Sequence, residues 1–232
     1  MSVSIVTINL NNKDGLLKTI RSVVNQSIFN DIEYVVIDGG STDGSLDVIE
    51  KYKDYFSYWV SEPDGGIFNA FNKALKHLTG EYVLFLNSGD YLVSDVIIEK
   101  VIKHLDADIV YGDMILDKGK RVIILTYKRI EKQFDIRYPD KIDEGFFKVS
   151  ALPHQCTFIK TSYQKEHPYS EEYTIAGVWK FFREAVMMDK VTYKHIPIII
   201  SHFDGNGISS NQELFKKEKQ DYYKKINKKF LF

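Results

Sequence analysis

The chain has 232 residues, of which 44% are hydrophobic and 27% charged, as is typical of one globular domain with a sizeable core. Its formal net charge of −1 excludes the strong positive field by which many proteins attract nucleic acid. The single cysteine, Cys156, excludes an intrachain disulfide and a cysteine-rich zinc site. Because the first residues lack a basic region followed by a long apolar one, we expect no secretion signal and a cytoplasmic location.

Four strand–helix units are predicted in the first half of the chain. Short β-branched runs predict the strands, and apolar residues at helical spacing predict the helices. The alternation predicts an α/β fold with an open, Rossmann-like and mostly parallel sheet. The predicted strands are 3–8, 33–37, 58–61 and 82–86, and the helices that follow them are 16–24, 45–52, 67–78 and 94–105, the last with Ser94 as its N-cap.

After residue 112 this alternation breaks down. A helix is predicted at 178–188 and an irregular segment at 127–152. We expect a single domain over 1–211 and a basic tail over 212–232. Further strands are predicted at 122–126, 154–159 and 191–200, the last one interrupted by Pro197.

The predicted tail carries seven lysines and three acidic residues, a balance of +4 that leaves −5 for the rest of the chain. Aromatic and aliphatic residues are interleaved with the lysines. This composition is typical of a helix that lies on an anionic membrane surface, here the inner face of the membrane. A solvated terminal helix has the same composition, and the sequence leaves both interpretations open.

Polar residues follow each of the four strands predicted in the first half. Since the carboxyl ends of parallel strands lie at one edge of a sheet, we expect one cleft to gather these residues. Asp38, followed by two glycines, can accept hydrogen bonds from a base or a ribose, although a turn aspartate that caps the next helix has the same pattern. The clusters are residues 7–9, 38–43, 62–66 and 87–90.

Two of these clusters favour a phosphorylated ligand and a cation. Asn72 and Lys73 follow a second pair of glycines, near the start of a predicted helix whose N-terminus suits a diphosphate. Asn87 and Asp90 end a very apolar strand and can supply oxygen ligands to a hard cation. Each pattern also has a plain structural interpretation, a solvated helix face in the first case and a turn in the second.

Together these segments resemble the ordered motifs of family 2 glycosyltransferases. The resemblance is carried by residues 3–9, by Ile-Asp-Gly-Gly-Ser-Thr-Asp-Gly at 37–44, by Ser-Glu-Pro-Asp-Gly-Gly-Ile-Phe-Asn-Ala-Phe-Asn-Lys at 61–73 and by Phe-Leu-Asn-Ser-Gly-Asp at 85–90. It is close over residues 3–112 and looser in the second half, through 153–155, 169–183 and 205–209. It implies a GT-A fold with a C-terminal acceptor-side region, and an inverting hexosyltransferase similar to those of bacterial O-antigen and capsule assembly.

The resemblance also implies the ligands of the site. The donor would be a nucleotide sugar, with UDP preferred, and the acceptor a glycan or a lipid-linked sugar. Asp90, the one carboxylate in the position of the family's Asp-x-Asp motif, would hold Mg²⁺ or Mn²⁺ weakly until the donor arrives. His154 would hydrogen-bond the sugar or the diphosphate, unless it is only a satisfied, partly buried histidine, and the turn at 205–209 would close over the phosphates. The donor-binding residues would be Thr7, Asn9, Asp38, Asp64, Asn72, Lys73, Asn87 and Asp90.

The chain departs from the family at the expected catalytic base. In the family an aspartate opens a helix after a segment that resembles Tyr169-Ser-Glu-Glu-Tyr-Thr-Ile-Ala-Gly-Val-Trp179, and that position here holds Val178, which cannot accept a proton. Glu171 or Glu172 would serve instead if the register were shifted.

Three other functions compete with a transferase. A nucleotide-sugar-binding protein without transferase activity is the main alternative, because Val178 replaces the expected base. A nucleotidyltransferase is disfavoured because residues 9–15 do not form a glycine-rich basic loop. A nucleic-acid binder is disfavoured because the excess of basic charge is confined to the tail.

Overall fold

The computed structural model describes residues 1–117, 127–130, 133–136, 138–205, 207 and 211–229. Strands and helices alternate from β1 to β4, and the order is mixed after that. In order they are β1 (Val3–Asn9), α1 (Lys13–Val24), β2 (Ile32–Asp38), α2 (Ser45–Tyr52), β3 (Tyr58–Ser61), α3 (Ile67–Leu75), β4 (Tyr82–Phe85), β5 (Tyr91–Leu92), α4 (Ile97–Ile102), β6 (Ile109–Asp117), β7 (Tyr127–Ile130), β8 (Gln133–Ile136), α5 (Glu144–Val149), β9 (Thr157–Lys160), α6 (Thr161–Glu166), α7 (Gly177–Met187), β10 (Tyr193–Asp204) and α8 (Gln212–Lys229).

The strands form one open sheet in the order β3-β2-β1-β4-β9-β6-β10-β5. The first four strands pair in parallel, as predicted. β9 is antiparallel to both β4 and β6, so that β6 and its parallel neighbour β10 run in the same direction as β1. A hairpin of β7 and β8 pairs with β6 through β8. The carboxyl ends of β1, β2, β3, β4, β6 and β10 therefore lie at one edge.

The central strands are apolar because both faces of the sheet are covered. All seven residues of β1 are buried. α1 begins after Asn12, whose Oδ1 accepts the N–H of Gly15 at 3.2 Å, and it buries Leu16 among other residues. α3 buries Phe68 and Phe71. This packing leaves the polar strand–helix loops at the carboxyl edge of the sheet.

The predicted elements of the first half are confirmed, with one correction at α4. This helix begins at Ile97, and Val96 precedes it without a side-chain cap, so Ser94 is not its N-cap. The carbonyl oxygen of Ser94 instead accepts the side-chain amide of Gln26 at 2.8 Å.

The second half is more regular than its sequence predicted. The segment 127–152, expected to be irregular, contains β7, β8 and α5. The predicted strand 154–159 begins as a 3-10 turn at His154–Cys156 and becomes β9 only at Thr157. The predicted strand 122–126 lies outside the described residues. Pro197 does not interrupt β10; the ladder shifts register around it because proline has no N–H to donate.

Residues 212–229 of the predicted basic tail form α8, which packs against α5 and α7. Tyr222 is only 2% exposed, and its ring meets Trp179 edge-on at 5.2 Å. Phe215, Tyr223 and Ile226 also contact the core. Of the α8 lysines whose side chains the structure describes, Lys219 is half-buried and the others, Lys216, Lys217, Lys224 and Lys225, are exposed. Across the described ranges, no helix is long and apolar enough to cross a bilayer.

A buried histidine joins β10 to β6 and to the loop before α5. His195 Nε2 lies 3.0 Å from Asp113 Oδ1, and Nδ1 lies 2.7 Å from Asp140 Oδ1. Asp113 is fully buried and also accepts the N–H of Tyr138 at 3.0 Å. The hydrogen bond with Asp113, and then that with Asp140, raise the pKa of His195 above its ordinary value of 6.5, so the pair favours an imidazolium.

This pair predicts a stability that falls as pH rises. Because the folded pKa is raised, the contribution is fully present below the unfolded value of 6.5 and is lost as pH rises through the folded value. We expect His195→Gln to cost about 2 kcal/mol of unfolding free energy at pH 5.5, and the difference from the parent to shrink by pH 9. Urea unfolding across this range tests it. Asp140→Asn, which removes only the exposed partner, should cost less, and a difference that does not vary with pH would contradict the assignment.

Candidate functional site

The polar residues after β1, β2 and β3 meet at Asp38. Asn9, Asp38 and Ser61 are register partners across the three strands. Asp38 Oδ1 accepts hydrogen bonds from Asn9 Nδ2 at 2.7 Å and Ser41 Oγ at 2.6 Å. Its Oδ2 accepts the Ser61 hydroxyl at 2.7 Å and the Ser41 N–H at 2.9 Å. The sheet therefore gathers these side chains, as the sequence predicted.

Asp38 is a buried hydrogen-bond acceptor at the ends of β1, β2 and β3. Burial raises the pKa of Asp38, but the hydrogen bonds from Ser41, Ser61 and Asn9 outweigh it and hold the pKa below the ordinary value. The side chain has no exposed surface and is already fully hydrogen-bonded. Thr7 is also fully buried, and its hydroxyl donates to the Leu86 carbonyl at 2.8 Å, so it lies in the core rather than facing a cleft.

Asp64 lies over the glycine turn that follows β2. Its Oδ1 accepts the N–H of Gly66 at 2.8 Å. A Cβ at Gly39 would lie 2.8 Å from Asp64 Oδ2, and one at Gly40, where φ is +81°, would lie 3.0 Å from the Pro63 nitrogen. Only glycine fits this close approach without a shift. Asp64 is half-buried, so its carboxylate, unlike that of Asp38, has a surface for a ligand.

The Asn-Ser-Gly-Asp turn after β4 is held from below by α1. The Thr19 hydroxyl lies 2.6 Å from the Asp90 carbonyl oxygen and accepts the N–H of Gly89 at 3.0 Å. Gly89 has φ of +104°, a conformation that favours glycine. Asn87 Oδ1 is buried without a hydrogen-bond partner among the described residues. A buried amide oxygen of this kind is suited to a ligand or a water.

The structure adds a second carboxylate to this turn, from the end of β10. Asp90 Oδ1 accepts the N–H of Asp204 at 2.9 Å. A Cβ at Gly89 would lie 2.9 Å from Asp204 Oδ2. The sequence analysis missed Asp204, although it ends a long apolar run at the same edge as Asp90. The predicted closing turn at 205–209 lies largely outside the described residues.

These oxygens match the ligand preference of a hard cation. Asp90, Asp204 and Asn87 offer carboxylate and amide oxygens, which Mg²⁺ and Mn²⁺ prefer. Within the described ranges, no group of three His, Cys, Asp or Glu side chains is placed to hold a metal by itself. A cation here would therefore depend on the phosphate oxygens of a bound ligand, as predicted from the single carboxylate of the motif.

Asn72 and Lys73 of α3 contact neighbouring loops of the protein. Asn72 Nδ2 donates to the Tyr169 carbonyl at 2.8 Å, and its Oδ1 accepts the Tyr169 N–H at 3.0 Å. Lys73 Nζ pairs with Glu62 at 2.9 Å. Both side chains thus bind neighbouring loops, and their contact with a diphosphate stays a prediction.

The two glutamates considered as substitute bases point in different directions. Glu171 accepts from Asn72 Nδ2 at 2.9 Å and from Asn69 Nδ2 at 3.1 Å, on α3. These bonds lower the pKa of Glu171. Glu172 instead forms an ion pair with Lys225 on α8, away from α3. Of the two, only Glu171 contacts the segment 61–73, which is named the donor motif after the role that the family resemblance implies for it.

Val178 lies in the first turn of α7, close to α3. A Cβ at Gly177 would lie 2.6 Å from the Phe68 ring, so this glycine lets α7 approach α3. Val178 itself is half-buried against the core. Trp179 is 1% exposed, and its Nε1 donates to the Phe147 carbonyl at 2.8 Å, so it packs in the core and is not placed to stack on a sugar.

His154 lies against Phe71 of α3, with ring centroids 5.5 Å apart. Burial lowers the pKa of His154 to about 4, so the imidazole is neutral at pH 7. Its Nε2 and the hydroxyl of Tyr169, which also packs on Phe71, are both buried without a partner in the part of the chain described. A neutral ring of low basicity can hydrogen-bond a ligand but is a weak general base.

Comparison with known proteins adds the decisive observation. The family model described as Glycosyl transferase family 2 matches residues 4–168, more than half of the chain, including the ends of β1 to β4. The chain belongs to the family 2 glycosyltransferases. An uncharacterised glycosyltransferase of Mycobacterium tuberculosis is 31% identical to it over 214 residues, 91% of this chain and 78% of that protein. A poly(ribitol-phosphate) beta-glucosyltransferase of Bacillus spizizenii is 31% identical over 143 residues, 59% of this chain and 23% of that protein.

Solved structures place this glycosyltransferase in the GT-A fold. S. aureus TarS 1-349 in complex with UDP-GlcNAc matches with a TM-score of 0.71 at 20% identity, over 89% of this chain and 59% of that one. The mannosyltransferase PcManGT of Pyrobaculum calidifontis, in complex with GDP-Man and Mn²⁺, matches with a TM-score of 0.63 at 15% identity, over 89% and 57%. This chain thus spans less than two thirds of these solved chains, and the likeness concerns the fold.

Proposed function

We propose that this glycosyltransferase moves a hexose from a nucleotide sugar to a hydroxyl of a glycan or lipid-linked acceptor, with inversion. The observation that supports the proposal is that Asp38, Asp64 and Asp90 all lie at the carboxyl edge of the sheet. Asp38 is hydrogen-bonded to Asn9 and Ser61, and Asp64 lies over Gly39. Asp90 is hydrogen-bonded to the end of β10. Two solved structures with a similar fold are complexes with sugar nucleotides, TarS with UDP-GlcNAc and PcManGT with GDP-Man. A UDP-sugar is our preferred donor.

The donor would lie over the ends of β1 to β4. Asp64 would bind the nucleoside, which Gly39 and Gly40 would allow to approach the backbone. Asp38 and Asn9 would shape this pocket from beneath, and the buried, unpartnered Oδ1 of Asn9 is the group of the pair left to accept a ligand hydrogen. The half-buried position of Asp64 above a fully buried Asp38 supports this division of roles.

Asp90, with Asp204 and Asn87, would hold Mg²⁺ or Mn²⁺ together with the donor diphosphate. The cation would neutralise the charge that develops on the leaving nucleoside diphosphate. The chain's own part would be to hold the turn rigidly, through Thr19 and the Asp204 N–H. His154 would donate or accept one hydrogen bond on the sugar side as a neutral imidazole.

The acceptor hydroxyl would attack the anomeric carbon from the face opposite the diphosphate, and residue 178 is where the family resemblance expects its base. Because Val178 cannot accept a proton, the second candidate function is a nucleotide-sugar-binding protein with little or no transfer. Glu171 is the carboxylate alternative beside α3, but its two amide hydrogen bonds lower its pKa and leave it a poor base. Both functions require donor binding.

The acceptor would be a growing polysaccharide or its lipid carrier, as in O-antigen or capsule assembly at the inner membrane face. The named activity of the Bacillus spizizenii relative, on poly(ribitol-phosphate), supports a polysaccharide acceptor. Attachment to an anionic membrane would rest on charge, since the apolar residues of α8 face the protein. Among the described side chains of α8, the exposed lysines are Lys216, Lys217, Lys224 and Lys225, the last of which is paired with Glu172.

A thermal-shift panel of UDP-, GDP- and dTDP-sugars, each with and without Mn²⁺, tests the proposal. A ligand at ten times its Kd adds about 1.4 kcal/mol of stability, which moves the Tm of a protein of this size by about 3–6 °C. We expect one nucleotide to give this shift, and to give it only with Mn²⁺. If no sugar nucleotide in the panel raised the Tm, with or without Mn²⁺, the result would contradict both candidate functions.

A further inference from the structure

The start of α7 is held by a carboxylate from the far end of the chain. Glu218 of α8 accepts the N–H groups of Thr174, Ile175 and Ala176 at 2.8, 3.0 and 2.8 Å. These residues lead directly into α7. The N–H groups at a helix start lack intrahelical acceptors, and the helix dipole there favours negative charge. Glu218 thus occupies an anion site made by the backbone.

α7 supplies no such group itself. Ala176 is its N-cap and has no side chain that could accept a hydrogen bond, and the first turn contains no acidic residue. The position where the family resemblance expects an aspartate holds Val178. The negative charge that suits this helix start therefore comes from α8.

α8 is anchored independently of Glu218. Arg183 of α7 donates through Nη1 to the hydroxyl of Tyr222 at 2.8 Å, and through Nη2 to Glu144 of α5 at 2.8 Å. Lys219, the residue after Glu218, donates to the Phe147 carbonyl at 2.8 Å. Glu218 is therefore presented by a helix that is packed against both α5 and α7.

The other end of the same segment is held by the donor motif. Asn72 of α3 binds the N–H and carbonyl of Tyr169, and Asn69 and Asn72 bind Glu171. Residues 169–176 thus run between α3, which carries the donor motif, and α8. The segment ends two residues before position 178.

We propose that Glu218 is a positioning residue for sugar transfer, whose carboxylate fixes the first turn of α7 and thereby the acceptor side of the site. This inference rests on the proposed function, because it concerns the acceptor of that reaction. All three backbone contacts use the carboxylate oxygens, so Glu218 acts through α7 and not on the substrate. Loss of the contact would loosen the acceptor side and leave the donor side, which lies on β1 to β4, intact.

Glu218→Gln tests this role, with Glu213→Gln as the matched control on the first turn of the same helix. An amide keeps the shape but turns one acceptor oxygen into a donor, which faces a backbone N–H. We expect amide exchange at residues 174–176 to quicken at least about tenfold, acceptor KM to rise about fivefold or more, and donor Kd to stay within about twofold. All three quantities are measured in the parent protein, because Val178→Asp would itself place a carboxylate in the first turn of α7. If parent transfer is too slow to give a KM, the exchange rates decide. The control should change none of the three.

Glu218→Asp provides a second variant in case the glutamine protein folds poorly. It keeps the charge but is one methylene shorter, and an intermediate exchange rate and KM are expected. Equal exchange and equal acceptor KM in Glu218→Gln and the control would overturn the positioning role, as would faster exchange spread evenly through β1 to β4. Absence of donor binding in every protein, the parent included, would instead overturn the proposed function.

Discussion

Val178→Asp is expected to raise the rate of sugar transfer at least about tenfold, since a positioned general base contributes about 10²–10⁴-fold. The position lies in the first turn of α7, which Gly177 brings against α3 and the donor motif. A helix start favours an aspartate electrostatically, and Val178 is only half-buried, so the change should be tolerated. Initial rates of nucleoside diphosphate release, with and without acceptor, measure the gain.

Val178→Asn is the matched control, because it has the shape of aspartate without its basicity. It should leave transfer at the parent rate. Glu171→Gln tests whether Glu171 is the base. If Glu171 accepts the proton, this variant abolishes transfer by the parent protein, and Val178→Asp does not raise the rate. An unchanged rate in Val178→Asp, with donor binding intact, would mean that the base lies elsewhere or that the chain only binds the donor.

Asp90→Asn is expected to lower kcat/KM about 100-fold or more, because a bound cation stabilises the leaving diphosphate by several kcal/mol. Asparagine at position 90 can still accept the Asp204 N–H through its amide oxygen, so the turn should keep its structure. The loss should therefore fall on metal binding. Calorimetric titration of the donor with and without Mn²⁺ should give a Mn²⁺ dependence in the parent that is absent from the variant.

Two further variants sharpen this test. Asp204→Asn removes the second carboxylate at Gly89 and should weaken the Mn²⁺ dependence without abolishing it. Asp43→Asn makes the same chemical change in a different strand-end turn, where Asp43 accepts the Lys13 N–H at 2.8 Å. It should leave the Mn²⁺ dependence unaltered. Equal losses in Asp43→Asn and Asp90→Asn would point to general destabilisation of the loops and against a metal at Asp90.

The first half of the fold was predictable because its strands are buried on both faces. Such strands are continuous apolar runs that end abruptly, so β1, β2 and β4 could be recognised from sequence along with the edge where their polar residues meet. The convergence around Asp38 followed from the parallel arrangement alone. The complete burial of Asp38 and Thr7 could not be predicted in this way, because it depends on which loops of other strands cover them.

The roles of Asn72 and Lys73 depended on contacts distant in sequence. Their helical spacing indicated that they share one face beside the diphosphate. Asn72 instead donates a hydrogen bond to the loop at residue 169, which lies 97 residues further along the chain. Asp204 was missed for the same reason, since only the pairing of β10 with β5 brings it to the turn at Gly89. In the second half, short antiparallel strands such as β7 and β8 carry too few apolar residues to be separated from loops.

The docking of α8 was the largest difference from prediction. Its interleaved aromatic residues fit a membrane surface and a protein surface equally well in sequence. In the structure Tyr222 and Tyr223 pack around Arg183 and Trp179. Their burial packs α8 against α5 and α7.

The central claim, that a nucleoside diphosphate and a cation meet at the carboxyl edge of β1 to β4, is tested most directly by paramagnetic relaxation. Mn²⁺ is added to the isotope-labelled protein with UDP, and the broadening of backbone amide signals is mapped. We expect a loss of signal at residues 88–90 and 204 that requires UDP. Broadening confined to the opposite edge, around the cavity of about 600 Å³ lined by Ser2, Asp31 and Glu99, or no UDP-dependent broadening, would contradict it.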